Sequence, residues 1–450
     1  MSAAGDGNVG GSWATLAVVE FDLGLDLFPM LAATLAAVLC GLLGNLLLLR
    51  RQSLMGDAIG HSVLPGLVIA FLIAGSRSPM AMFLGAAIAG VATVVLVELV
   101  RRLGRVEPGA AMGVVFSLLF ALGVLLIEQG AARQVDLDAD CVLYGQLETL
   151  VWFGAPDDLA GLLQWSTLEA IPRQVLVLAG TLAAATIFTV VVFKELRLAA
   201  FDPGFATSQG FAARGLNLAS MVLVAAATVA SFEAVGSILV IAMLVCPAAT
   251  ARLLTDRLSS QILVSVGVAV VTGVGGSLAA TAVPGVFGRD AVNAAGSMTV
   301  VAGGLLATAI VLSPRHGVAT QLLRRRRLAA RVAVDDLLAT LHRAAERGLD
   351  RLAVDRISGL LPGRSADATI ARAVRDGQVE RERDVVHLTS AGRIAAAAIV
   401  DRHRSWERYL VEEAGFAPDH VHDPAERLEH LSESPPHGPV RSGPIRPPEG

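Results

Sequence analysis

Apolar and polar positions along the 450-residue chain follow two regimes that change near Pro314. Before that point, runs of roughly 20 mostly apolar residues, the length a bilayer core requires, occur at about 28–49, 54–75, 79–100, 109–129, 172–193, 215–231, 233–251, 260–284 and 292–312. The two runs meeting around Ser231–Glu233 have no clear dividing loop, so the pattern predicts eight or nine membrane helices. After Pro314 the apolar positions take up helical and then strand spacing. VAVDDLLATLHRAAERG puts Val334, Leu337, Leu338 and Leu341 on one helical face, with Gly348 as terminator. A second helix fits Val354–Leu361, and a third fits SADATIARAVRDG, with Ser365 as cap and Gly377 as stop. QVERERDVVHLT alternates about Arg383–Asp384 as a hairpin, and three helices with a hairpin predict a winged helix-turn-helix. A longer helix follows over Ala391–Gly415, then a last one that Asp423 caps and Pro424 opens.

Composition sharpens this picture. A hydrophobic fraction of 54%, 45 glycines and a charged fraction of 17% exceed what a soluble domain carries and mark a polytopic membrane protein. The fold class is therefore an all-α membrane bundle followed by a winged-helix and helical domain. The expected divisions are a flexible tail (1–24), a membrane domain (25–314), a basic linker (315–330), a winged-helix-like domain (331–395), a helical segment (396–431) and a Pro-rich disordered tail (432–450). Cys40, Cys141 and Cys246 lie far apart without CxxC spacing, which argues against a disulfide framework or a thiolate zinc site. Lys and Arg concentrate in alternate loops, at Arg50, Arg51, Arg101, Arg102, Arg105, Lys194, Arg197, Arg214, Arg252, Arg257 and Arg315. By the positive-inside rule those loops are cytoplasmic, as is the charged C-terminal region. The basic run Arg324–Arg327 reads as an anchor to anionic lipid, with DNA contact as the alternative.

Three stretches of the membrane part carry candidate chemistry. In RRQSLMGDAIGHSVLPGLVIAFLIAG, Asp57 and His61 are one helical turn apart at the head of a span, where ionisable groups are costly and mark a candidate site. The bland alternative is that Asp57 caps the span and His61 bonds a neighbouring helix. In FKELRLAAFDPGFATSQG, Asp202 suits a helix cap and Pro203 a helix start, giving a short amphipathic element that is either a plain loop or a docking element. SFEAVGSILVIAMLVCPAATAR places Glu233 at the outer end of a span and Pro247 in its inner half.

SLMGDAIGHSVLPGLVIAFLIAG, KELRLAAFDPGFA and VGSILVIAMLVCPAATA resemble, in this order and separation, the membrane permease of ABC transporters that import manganese, zinc or iron, over roughly Leu25 to Pro314. The resemblance implies a dimeric permease, made with itself or a paralogue, two cytoplasmic ATPase subunits and an extracellular metal-binding protein that delivers the ion. It places Asp57 and His61 on the ion path, with Glu233 a weaker member. It also makes the stretch from Lys194 to Ala206, including Glu195, Phe201, Asp202 and Pro203, the coupling element for the ATPase. The chain has no GxxxxGK[ST] loop, so ATP hydrolysis belongs to a separate subunit and the chain itself is not an enzyme.

In the C-terminal part, His403 and Glu407 are four residues apart, and His422, Glu426, Glu429 and His430 follow at helical spacing. Such a set reads either as a divalent-metal constellation or as a charged, solvated helix pair. HLTSAGRIAAAAIVDRHRSWERYL with VHDPAERLEH resembles the diphtheria-toxin-repressor and manganese-regulator family, over roughly Arg331 to Leu431. That resemblance implies one metal site at His403, Glu407 and His422 and another at Asp336, Glu426, Glu429 and His430. Glu426 stands where iron-responsive members carry Cys, and a hard oxygen ligand there favours Mn(II). Ala339 departs from the pattern, since manganese-responsive members have an acidic ligand at that position. In the third helix Arg372 and Arg375 are offset by Asp367 and Asp376, so DNA binding is not expected. The combined expectation is an inner-membrane permease for divalent metal, Mn(II) before Fe or Zn, with a cytoplasmic metal-sensing domain. The alternative is a membrane-tethered, metal-responsive transcription regulator.

Overall fold

A computed structural model describes residues 23–50, 52–75, 78–128, 147, 150, 171–286, 292–360 and 365–429. The chain divides into two units, Met1–Thr320 and Gln321–Gly450. Cys141, the stretch 135–149 apart from Leu147, and residues 1–22 and 430–450 lie outside the described residues, while Leu23 and Gly24, expected in the tail, open the first helix.

The first unit is a helical bundle: α1 (Leu23–Leu49), α2 (Met55–Ser62), α3 (Leu64–Ala74), α4 (Pro79–Gly104), α5 (Pro108–Leu126), α6 (Arg173–Val191), α7 (Phe193–Phe201), α8 (Pro203–Ser208), α9 (Ala213–Val235), α10 (Ser237–Leu254), α11 (Leu258–Val286) and α12 (Ala294–Leu312). Among the described residues, eight helical segments are long and apolar enough to cross a membrane, with α2 and α3 counted as one, and α10 is a shorter apolar helix among them. The predicted division near Ser231–Glu233 is displaced: α9 continues to Val235 and the chain turns at Gly236, whose φ of 78° only glycine adopts readily. Glu233 therefore ends α9 and does not begin α10.

α1 sits at the centre of the bundle, packed on α6, α9, α10 and α11. Its Ala32, Ala33, Ala36 and Ala37 are buried small residues, and a Cβ on Gly44 would collide with the carbonyl oxygen of Leu244 on α10. Gly66 on α3 and Gly85 on α4 meet backbone to backbone in the same way. Helices in lipid gain little from apolar burial against one another, so close approach at small residues and buried hydrogen bonds hold the bundle. Asn45 on α1 accepts from the Gln261 amide of α11 at 3.0 Å and donates to the Gly41 carbonyl at 2.7 Å, and the Ser265 hydroxyl donates to that same carbonyl at 2.8 Å.

Long-range polar pairs close both ends of the bundle. Arg50, after α1, donates to Asn217 in the first turns of α9. Glu233, ending α9, pairs with Arg173, opening α6, at 3.7 Å. Asp256, after α10, pairs with Arg315 and with His316, beyond α12. Each pair joins loops that the charge distribution assigns to the same side.

The second unit holds most of α13 (Val318–Glu346), then β1 (Leu352–Ala353), α14 (Val354–Leu360), α15 (Ala366–Arg375), β2 (Val379–Glu382), β3 (Val385–Leu388), α16 (Ser390–Glu412) and α17 (His422–Glu429). The expected basic linker is not a separate segment, because from Val318 onward it forms the first turns of α13. Gly348 and Gly377 take positive φ at the predicted stops, and the Ser365 hydroxyl accepts from the Ala368 amide at 3.4 Å. The hairpin pairs Val379 with Leu388 and Arg381 with Val386, turning through Arg383 at φ 54°. β1 adds a third strand in the order β1-β3-β2. Val334, Leu337, Leu338, Ile357, Ile370, Val386 and Ile399 form one core under these elements, the winged-helix arrangement.

Candidate metal path, coupling element and metal centre

The first candidate site lies where one span breaks. α2 ends at Ser62 and α3 begins at Leu64, with Pro65 in its first turn. Proline has no N–H, so the carbonyl of His61 loses the helical donor it would otherwise receive. One turn earlier, the His61 Nε2 is 3.3 Å from the Asp57 carboxylate, and both side chains are a third or more exposed. Asp57 is in the first turn of α2, where the helix dipole favours a carboxylate, and His61 is in the last. By sequence the pair comes early in the span that follows Arg50, yet His61 and Ser62 pack level with mid-helix residues of the neighbouring spans, Phe116 of α5 and Thr93 of α4.

Neighbouring helices fix the pair from three sides. The His61 ring lies against Phe116 at 5.4 Å and edge-on to Phe120 at 5.9 Å, both on α5. The Ser62 hydroxyl is 2.7 Å from the Thr93 hydroxyl of α4. A Cβ on Gly60 would strike the Phe232 ring of α9, so Gly60 brings α2 against that helix. Phe116 and Phe120 were not among the residues the sequence singled out. Their four-residue spacing is an ordinary core pattern, and only the fold brings it to His61. Glu233 is engaged by Arg173, which in turn lies 5.7 Å from the centroid of the Phe83 ring.

The second candidate is the helix pair α7–α8. Asp202 has extended backbone and its side chain accepts from the Phe205 amide at 2.9 Å, with Pro203 as the first residue of α8. Leu196, Ala199 and Ala206 are buried while Phe201 and Phe205 are 66% and 51% exposed. A capped corner anchored by small buried residues presents two phenyl rings outward. Lys194 and Glu195 lie in the first turn of α7.

The third candidate is in the second unit. Thr389 opens α16: its hydroxyl accepts from the Gly392 amide at 3.0 Å and donates to the Gly377 carbonyl at 2.8 Å. α17 is held on α16 by Val421 and Ala425, which pack with Leu410 beside Trp406. His422 lies between those two anchors and reaches His403 and Glu407. The His403 Nε2, the Glu407 Oε1 and the His422 Nδ1 are mutually 3.0 Å apart. Among the described residues this is the one cluster of three or more His, Cys, Asp or Glu donors. Adjacent ligands on an ion with bonds of roughly 2.0–2.1 Å lie about 3 Å apart, so the three donors fit a single divalent ion. His403 is 3% exposed and His422 is open to solvent, which leaves an entry side.

The sequence profile of the ABC 3 transport family matches residues 27–152 and 156–312. The chain belongs to that family. This ABC 3 permease is 35% identical over 376 residues to the zinc transport system membrane protein TroD of Treponema pallidum (strain Nichols), covering 83% of this chain and 98% of that one. It is 32% identical over 387 residues to the manganese transport system membrane protein MntC of Bacillus subtilis (strain 168), covering 84% and 82%. Among solved structures, PsaBC from Streptococcus pneumoniae in complex with Fab superimposes with a TM-score of 0.50 and 26% identity, over 64% of this chain and 92% of that one. Residues 389–434 match the iron dependent repressor, metal binding and dimerisation domain, so the permease carries a repressor-type domain at its C-terminal end.

The remaining predicted ligands of the permease are less complete. Asp336 is half-buried on α13, and its backbone carbonyl accepts from the Thr340 hydroxyl at 2.7 Å. The side chains of Glu426 and Glu429, and His430 entirely, lie outside the described residues. α17 starts one residue before the predicted Asp423 cap, because the Ala425 amide bonds the Val421 carbonyl at 3.0 Å.

Proposed function

We propose that the protein is the membrane subunit of an ABC importer carrying Mn(II) inward, and that its C-terminal domain senses the metal and restrains further uptake. The observation that carries this reading is that one chain joins an ABC 3 permease to a repressor-type metal domain in which His403, Glu407 and His422 already converge. An extracellular binding protein delivers the ion, and two such permease chains, or this chain and a paralogue, line the path. Asp57 and His61 offer one carboxylate and one imidazole along it, a donor set suited to Mn, Fe or Zn. The ATPase subunits seat on α7–α8 at the cytoplasmic face, and closure driven by ATP shifts α9 and the spans around it. The absence of a thiolate from every candidate ligand set supports manganese over softer metals.

In the C-terminal domain, His403 and Glu407 on α16 and His422 on α17 would hold a divalent ion, which supplies a cross-link between those helices. Binding to one permease conformation more tightly than another couples metal level to transport, and the coupling is reciprocal. The repressor-like alternative finds less support in the charges of the wing: Arg381 pairs with Asp367 at 2.8 Å and Arg351 with Glu382 at 3.1 Å. Cations so neutralised contribute little to binding phosphate.

The test is manganese uptake in cells expressing the chain with its ATPase and binding protein, with zinc and iron as competitors. High internal manganese suppresses uptake by the full chain and not by His403→Ala/Glu407→Ala. Equal suppression in both removes the sensing role, and preferential competition by zinc removes the manganese assignment.

A further inference from the structure

The first half of α13 has a surface that neither the transport path nor the metal centre uses. Val318, Leu322, Leu323 and Leu328 are 59%, 49%, 54% and 56% exposed, an unusual run of large apolar side chains in contact with solvent. Arg324–Arg327 and Arg331 are interleaved with them and are also exposed. No acidic residue occurs from Arg315 to Val334. The helix joins the core of its unit only from Ala333 and Val334 onward. Five residues, Ser313–Gly317, separate it from the end of the last span at Leu312. At no more than about 3.6 Å per residue, the first turn of α13 stays within roughly 20 Å of the membrane end of α12.

We infer that this segment, Val318–Arg331, is a surface for the bilayer itself: it lies on a leaflet rich in anionic phospholipid, leucines in the acyl boundary and guanidinium groups on the headgroup phosphates. Charge complementarity selects this occupant. Arginines interleaved with exposed leucines match an interface in which apolar and anionic layers adjoin, because long arginine side chains reach from apolar surface to phosphate. Proximity to a span keeps the basic residues within the range over which an anionic surface attracts them, about a Debye length. A nucleic acid would satisfy the arginines and leave the leucines in water, and a second copy of the helix would bring like charges together.

The experiment uses the full-length permease in lipid nanodiscs, with Cys40, Cys141 and Cys246 replaced by Ala and an environment-sensitive NBD group attached at Leu323→Cys. In mixed phosphatidylcholine–phosphatidylglycerol discs, NBD emission shifts to the blue and quenching by iodide is at least halved relative to phosphatidylcholine alone, and both effects fade as salt rises. The combined change Arg324→Gln, Arg325→Gln, Arg326→Gln and Arg327→Gln returns the signal to the phosphatidylcholine value, while manganese uptake by cells carrying the same four changes persists. The inference is overturned by equal emission in both lipid compositions, by a shift that survives the four substitutions, or by a shift produced by added DNA and not by anionic lipid.

Discussion

His61 stands 3.3 Å from the carboxylate of Asp57, one turn before a proline interrupts the helix and against two phenyl rings of a neighbouring span. The imidazole is thereby held against the two rings, with the carboxylate on the same helical face. Asp57→Asn and His61→Ala should each lower manganese uptake by at least about tenfold, the scale on which metal sites lose affinity when a supporting group is removed. Cell uptake, normalised to chain present in the membrane, measures this. Phe116→Leu should give a smaller loss, since it loosens the imidazole without removing it.

The two exposed rings of α7–α8 give a separable prediction. Phe201→Ala and Phe205→Ala remove solvent-facing groups and leave the Asp202 cap and the buried Leu196 in place. Thermal stability should move little, by less than about 0.5 kcal/mol. Co-purification of the ATPase with the permease should fall, as should metal-dependent ATP turnover in membranes. Unchanged ATPase retention would show that the docking surface lies elsewhere.

Glycine contacts separate packing from function. Gly44→Ala and Gly66→Ala drive a methyl group into backbone on a facing helix, and overpacking of this kind typically costs about 1–3 kcal/mol. At Gly90 a Cβ would meet the Val229 side chain at 3.4 Å, an ordinary contact, so Gly90→Ala should be near neutral. Unfolding in mild detergent, compared across the three variants, measures the contrast.

Acid should loosen one end of the bundle. Hydrogen bonds from His316 and Arg315 hold the Asp256 carboxyl below the usual carboxylate range. A depressed folded value means that the stabilisation is fully present above the unfolded value near pH 4 and is lost as pH falls through the folded one. Amide exchange in the loop 255–257 should therefore be slower in the native chain than in Asp256→Asn at neutral pH, and the two should converge in acid. A constant difference across that range would mean that the carboxylate charge is not what holds the loop.

Much of the architecture is readable from local pattern. Runs of apolar residues must cross a bilayer whatever packs beside them, and Gly348, Gly377, Ser365, Asp202 and Pro203 act through backbone conformation and neighbouring amides. The i,i+4 pairs Asp57–His61 and His403–Glu407 are likewise set by helix geometry alone. The break between α9 and α10 was misplaced because Ser231, Phe232 and Glu233 are all compatible with a helix, and it takes the positive φ of Gly236 to end one. The short strand β1 was missed because two residues carry no period, and Leu352–Ala353 pair with β3 only once the hairpin exists.

The amino-acid sequence by itself determined the two-part organisation, the number of membrane-spanning runs to within one, the capped corner at Asp202–Pro203 and the i,i+4 pairs Asp57–His61 and His403–Glu407. Tertiary structure alone decided which distant groups meet. His422 joins His403 and Glu407 because Val421 and Ala425 dock on Leu410, Phe116 and Phe120 reach His61 from another span, and Arg173 occupies Glu233. The physical reason is range: backbone propensity and helical spacing act over a few residues, whereas these contacts join positions that only the packing of whole helices brings within a few ångströms.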